Sequence, residues 1–266
     1  MNLKTILLGF LLLSSASGCK KTTSLTSPPK TEEEQESPET QLLPVKIERG
    51  KALINLKYLD DKPVLTEITY PNGEVAKLIY TKTGYLSRLE HYKNNKIVQY
   101  FSYALDTEFR ISKIQSWNLK DESFSLSHQY TLAYDKQHGI NNLKKYDLAS
   151  DLLEEKILDY SAQGNPVAIT LIKKSTSKES IWAYDDRAGI FSNLPYASLL
   201  FLEQENQDIC MGKNNPLSSI TRRSPSENQT FSYTYNNTGY PSEIIRKKGS
   251  ISETIKITYK AIKRTD

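Results

Sequence analysis

Residues 231–245 read Phe-Ser-Tyr-Thr-Tyr-Asn-Asn-Thr-Gly-Tyr-Pro-Ser-Glu-Ile-Ile. Phe231, Tyr233 and Tyr235 alternate with polar residues, the period of a half-buried strand rather than of a helix. Gly239 stands where a reversing chain needs a positive φ, and Ile244 belongs to the next apolar alternation. The stretch reads as one β-hairpin, and its spacing recurs. Tyr80, Gly84 and Leu89 repeat it, as do Tyr160, Gly164 and Ile169. Tyr70 with Gly73 and Leu78 is one residue tighter, while Tyr134 with Gly139 and Tyr184 with Gly189 are one residue looser.

Between these hairpins Asn72-Gly73, Asn94-Asn95 and Lys248-Gly249 supply further turn signals. Near the C-terminus Ile255, Ile257 and Tyr259 alternate with Thr254, Lys256, Thr258 and Lys260. The 17 tyrosines favour pleated surfaces, as the β-branched residues do. The pattern predicts about 14 strands, an order-of-magnitude count from turn spacing, in an all-β antiparallel up-and-down meander. Twist and bare edges then favour closure into a soluble barrel or near-barrel. One segment breaks the alternation. From Ile190 to Glu205 the residues Phe191, Leu194, Leu199, Leu200, Phe201 and Leu202 cluster, predicting a short helical or irregular apolar insertion over a barrel end or sheet face.

The N-terminus has another character. Lys4, the apolar run Ile6 to Leu13, and the small residues Ala16, Ser17 and Gly18 before Cys19 have the layout of a secretory signal. The run is too short for a spanning helix, which needs roughly 20 apolar residues. Residues 1–19 resemble a bacterial lipoprotein precursor, which implies cleavage after residue 18 and acylation of Cys19. A plain cleaved signal using Ala16 is the competing reading. Residues 19–42, rich in Ser, Thr, Pro, Glu and Lys, bury too little to fold alone and read as a tether, leaving 43–266 as the antiparallel β domain. The resemblance implies a place in the envelope of a Gram-negative bacterium, with a lipid anchor in the outer membrane and the periplasmic or surface side left open.

From Leu42 to Asp266 there are 31 basic and 26 acidic residues, a net of +5 spread over strand ends and turns. Such scatter argues against a nucleic-acid partner. With Cys19 acylated, Cys210 is the only remaining thiol, so no intramolecular disulfide forms; it reads as a small buried hydrophobe. His91, His128 and His138 share no local motif with it. The acidic pairs Asp60-Asp61, Glu154-Glu155 and Asp185-Asp186 would point to opposite faces of a strand, so none is a catalytic dyad in itself. Asp185-Asp186 reads as a backbone cap in a turn. Gly-x-Ser-x-Gly, His-Glu-x-x-His, Cys-x-x-Cys and phosphate-loop motifs are absent from the sequence. The expectation is therefore a non-enzyme with no catalytic, metal or cofactor residues.

Tyr-Asp-Asp-Arg-Ala-Gly-Ile-Phe-Ser-Asn-Leu-Pro at 184–195, flanked by Tyr-x-x-x-Gly hairpins and preceded by the lipoprotein signal, resembles a bacterial lipoprotein family of unknown function. The resemblance, over most of residues 50–260, implies a porin-like β-barrel and a lipid anchor but no assigned activity. The hairpin unit alone also resembles the tyrosine and glycine repeats of large secreted shell proteins. Runs near seven residues with lysine or glutamate near their middle, and an ending Lys-Arg-Thr-Asp, argue against a membrane-spanning barrel. Two binding modes are expected. One is a polar partner, a glycan or a peptide, on exposed aromatics such as Trp117 and Trp182; the other is an apolar ligand carried inside the barrel.

Overall fold

The computed structural model describes residues 40–60, 62–135, 139–194, 196–204 and 207–263. The signal segment, Cys19, most of the tether, Asp61 and His138 lie outside them. The strands are β1 (Thr40–Arg49), β2 (Ala52–Tyr58), β3 (Leu65–Thr69), β4 (Val75–Tyr80), β5 (Leu86–Lys93) and β6 (Lys96–Leu105). Then come β7 (Ile111–Lys120), β8 (Ser123–Tyr134), β9 (Ile140–Tyr146), β10 (Leu152–Tyr160), β11 (Pro166–Lys173) and β12 (Thr176–Ala188). After an insertion the chain adds β13 (Asn214–Thr221), β14 (Gln229–Tyr235), β15 (Pro241–Lys248) and β16 (Ile251–Lys263). Each strand pairs antiparallel with its sequence neighbour, and β16 returns to β1 to close the barrel. The expected meander and closure are both present. β1 begins at Thr40, so residues 40–42, read as the end of the tether, are strand.

Sixteen strands exceed the 14 anticipated, and the turns show how strands hide. Several hairpins share one loop, in which the first residue's N–H and carbonyl bond the residues four and three further on. Thr81 with Tyr85 and Gly84 is one example, and Asn236 with Tyr240 and Gly239 another. The fourth position is left-handed, and glycine fills it at Gly84, Gly164 and Gly239 with φ of 81° to 85°. The same loop at Asp106–Arg110 and Asp147–Asp151 places Phe109 (φ 60°) and Ser150 (φ 68°) there, so a search for glycine passes over them. Gly189 corrects the repeat reading in the other direction. It turns no hairpin and instead opens the insertion.

At several hairpins a register shift recurs at the strand end, for example between Ile79 and Tyr80 and between Thr234 and Tyr235. Bulges of this kind bend the strand and increase twist. At four hairpins the displaced position carries Thr66, Ser87, Ser112 or Ser242, each donating its hydroxyl to a carbonyl of the preceding strand at 3.0–3.4 Å, while Asn141 and Val167 stand there at two others. Six tyrosines then tie the even strand to the odd one before it. Tyr58 donates to Pro44, Tyr80 to Leu65, Tyr134 to Ile111, Tyr160 to Ile140, Tyr233 to Pro216 and Tyr259 to Pro241, all at 2.6–2.9 Å. Burial pushes the Tyr80 and Tyr160 hydroxyls up to about 12, so they remain donors at neutral pH.

The two faces of the wall differ sharply. Leu56, Ile68, Ala76, Leu89, Phe101 and Ile114 point into one core, as do Ile255 and Ile257 from the alternation noted in the sequence. Outside, the register aligns Lys57, Glu67, Lys77 and Glu90 across four strands, and Glu243, Lys256 and Glu48 across three more. Opposite charges placed directly across strands stabilise a wet sheet face. In hydrocarbon each cation would cost about 2–4 kcal/mol at the bilayer midplane, so this outer wall is built for water. Among the described residues no helix is long and apolar enough to cross a membrane.

The left-handed slot generates a paired prediction. Gly84 has open space where a Cβ would be, so Gly84→Val should cost about 1 kcal/mol or more through backbone strain alone. Ser150→Gly should stabilise by about 1 kcal/mol for the same reason. Urea denaturation midpoints check both, and changes of the same sign at the two sites would contradict the shared loop.

Candidate functional site

Between β12 and β13 a tight turn is replaced by residues 189–213, which enter the barrel. They contain helix α1 (Ala197–Leu200) and a 3-10 turn at Gln207–Cys210. Gly189 N–H bonds the Lys213 carbonyl at 2.8 Å and closes the neck. Gly212 is needed there, because a Cβ would lie 2.6 Å from the Tyr184 ring. Asp185 seals the neck by accepting from the Asn215 and Arg187 amides at 3.0 and 3.1 Å and from the Tyr235 hydroxyl. It caps backbone as expected, although from the irregular end of β12 rather than from a turn.

Inside, Ile190, Phe191, Leu194, Leu199, Leu200 and Phe201 join the core, with the Phe191 and Phe201 rings 5.2 Å apart. The insertion is therefore a plug. Asn193 ties its first part to the Leu42 carbonyl and to the Tyr240 hydroxyl. Its far end reaches the opposite wall, where Glu203 accepts from His128 at 2.7 Å and from Tyr130 at 2.6 Å, with the Lys145 ammonium at 3.1 Å. Burial alone would raise the Glu203 carboxyl, but these partners outweigh it and hold the group at about 2. Gln207 accepts from Lys156 at 2.9 Å, and burial pushes that ammonium down. Within the barrel the plug leaves cavities of about 40 and 30 Å³ beside Leu200 and Leu202 respectively.

A larger space lies where the plug meets the rim. This cleft, about 380 Å³, is walled by Phe191, Leu199 and Met211 of the plug and by Tyr134, Ile140 and Tyr160 of the barrel, with Arg110 and Lys213 also lining it. A larger groove, about 720 Å³, runs over the β1–β16 seam and is lined by charged residues, Arg49 and Glu253 being ion-paired. The cleft has the apolar walls expected of a small-molecule site.

The residues singled out in the sequence disperse. Cys210 is buried (6% exposed) against the cleft, in the hydrophobic role anticipated. His91 is buried between Tyr70 and Phe101, whereas His128 binds Glu203. Glu155 accepts from Asn142 at 2.8 Å, and Glu154 pairs with Lys173. Trp182 is core, stacked on Phe231, so it offers no exposed platform. Trp117 lies on the outer wall in a row with Tyr100 (rings 5.8 Å apart), while Arg88 sits 3.9 Å over the Tyr100 ring. Sequence reasoning missed the meeting of Glu203 with His128, Tyr130 and Lys145, which are 58 to 75 residues away along the chain.

No protein-family model matches the chain, and no curated protein does. Among solved structures, a porin-like protein from Bacteroides vulgatus ATCC 8482 is similar with a TM-score of 0.52 at 12% identity, over 83% of this chain and 99% of its own. A porin-like protein from Bacteroides uniformis ATCC 8492 gives 0.44 at 13% identity, over 82% and 96%. The TcdB2-TccC3-Cdc42 complex gives 0.36 at 12%, over 80% of this chain and 14% of that one. At these identities the first likeness speaks to the fold alone, and the other two scores are too low to carry an argument. The barrel implied by the sequence resemblance is thus a fold that the Bacteroides vulgatus protein shares.

The plug anchor predicts an acid limb. Glu203's depressed value means its contribution is complete above its ordinary value of 4.5 and is lost as pH falls toward 2. With the side chain 31% exposed, the loss should be roughly 1–3 kcal/mol after screening. Glu203→Gln should flatten that part of the stability profile relative to wild type, measured by urea denaturation at stepped pH. Parallel profiles would contradict the anchor.

Proposed function

We propose that the protein is a lipid-anchored barrel of the Gram-negative cell envelope that acts by binding a ligand rather than by catalysis. The observation that carries this reading is the plugged interior: the barrel closes around its own chain and leaves a ligand-sized cleft at the plug–rim junction. The charged groups inside are held in fixed partnerships, Glu203 with His128, Tyr130 and Lys145, and Glu253 with Arg49 and Arg246. Groups locked in this way are poorly placed for proton transfer to a substrate. The water-facing wall favours tethering by Cys19 over insertion, and the barrel likeness to a porin-like Bacteroides protein fits an outer-membrane association.

A polar or peptide partner on the outer row of Tyr100 and Trp117 is the second reading. Neighbours already cover the Tyr100 ring on two sides, so the cleft is the better-formed site. An apolar ligand in the barrel proper would have to displace the plug.

Cys19→Ser should release the protein from the membrane fraction with its melting temperature unchanged, and metabolic fatty-acid labelling should be lost with it. Equal labelling of both forms would overturn the anchor. For binding, the protein is screened against esterase, glycosidase and protease substrates, with melting temperature followed in the presence of glycans, peptides and fatty acids. A ligand-induced rise without turnover is expected. Reproducible turnover that disappears on removal of one acidic or histidine side chain would refute the binding reading.

A further inference from the structure

We propose that the plug–rim cleft takes an acidic amphiphile, an apolar chain ending in a single carboxylate, with Lys213 as the partner of the headgroup. This deepens the binding reading and rests on it. The cleft volume, about 380 Å³, falls within the roughly 300–1,000 Å³ typical of small-molecule sites. Its inner walls are aromatic and aliphatic, and the Tyr134 and Tyr160 hydroxyls are already committed to the Ile111 and Ile140 carbonyls. The walls therefore suit a hydrocarbon body.

The charge is at the mouth. Arg110 is held there by Asp106 and Glu108, both at 2.8 Å, and lies 4.7 Å from the Tyr134 ring centre. Lys213, on the other side, has no carboxylate partner among the described residues and sits against Gly164. One uncommitted cation beside an apolar cleft favours an anion and disfavours a cationic head.

Two of the ten non-glycine residues with left-handed backbone among the described residues line the same cleft. Phe109 occupies the left-handed slot that glycine fills in the sister turns; the residue is 59% exposed at the cleft rim, with its ring 5.3 Å from that of Tyr85. Tyr196, also lining the cleft, is left-handed as well, with φ 63°. Two bulky residues held in a conformation that costs L-residues stability are the kind of outlier that clusters at ligand clamps. An exposed phenylalanine at Phe109 gains little by folding, whereas it can close over an apolar chain.

The test uses dodecanoate, dodecanol and dodecyltrimethylammonium below their critical micelle concentrations, followed by melting temperature and calorimetry. Dodecanoate should bind tightest. Lys213→Met should weaken it about tenfold, an effect of one charge-assisted contact, and leave dodecanol unchanged. Phe109→Gly should raise the melting temperature of the free protein yet lower dodecanoate affinity, a combination that a purely structural turn residue would not produce. Dodecanoate in solution and dodecanoate held in phosphatidylcholine vesicles separate a soluble from a membrane source of the same chemistry, and uptake from either supports the site. Equal affinity for the three headgroups, or no effect of Lys213→Met, overturns the acidic head. Unchanged affinity in Phe109→Gly overturns the cleft as the location, and if that variant fails to fold, Lys213→Met decides. These failures leave the binding reading standing, since turnover is what refutes that reading.

Discussion

A closed barrel of sixteen strands encloses more space than its own inward side chains can fill. Eight strands are about the limit for side-chain filling, and barrels of 16 to 18 strands leave a channel unless something occupies it. Residues 189–213 occupy it here, and the rest of the architecture follows from that requirement. Because the plug interrupts one connection, β12 and β13 must be held together at a neck, where Asp185, Asn215 and the close approach at Gly212 replace a turn. Because it must cross the lumen, it is fastened at both ends, by Asn193 near β1 and by Glu203 at β8 and β9, half the barrel's strands away.

One small device recurs in the wall. After β2, β4 and β14 the strand ends in a tyrosine, a loop reverses the chain, and a serine or threonine takes the bulge as the next strand begins. The bulge supplies bend and twist for closure, its hydroxyl satisfies a carbonyl, and the tyrosine fixes the pair by reaching back to the preceding strand. Net hydrogen-bond contributions are only about 1 kcal/mol each. Their repetition at one end of the barrel nevertheless fixes strand ends that would otherwise fray. Tyr235 departs from the pattern, binding Asp185 at the plug neck while Tyr233 takes the carbonyl.

Much of this was legible in the chain because it is local. Period-two alternation at Phe231, Tyr233 and Tyr235, and glycine at 84, 164 and 239, depend on neighbours a few residues apart, and they led to the right class, topology and closure. The apolar cluster from Ile190 marked the plug by its failure to alternate. What escaped had weaker local signals. Ser150 and Phe109 bear strain in slots where glycine was sought, and Ser87 or Ser242 at a bulge looks like any polar strand residue. The Glu203 anchor is not local at all, since its partners come from strands placed by the closed register. Trp182 and Trp117 show the same limit, one buried and one outside, with nothing nearby in sequence to separate them.

Fastening the plug at two ends also shapes the cleft beside it. One wall belongs to the plug and the other to the barrel rim, so their separation is set by the neck, which borders the cleft at Gly212 and Lys213, and by the anchor at Glu203. A wall held in this way need not be ordered when something binds, which removes part of the entropic cost of association. The same anchors would limit the ligand proposed for the cleft. A molecule larger than the cleft must move the plug, and moving the plug means separating Glu203 from His128, Tyr130 and Lys145 together, leaving charges half-buried and unpaired. The interior contacts that stabilise the barrel therefore also set the size of what its rim can accept.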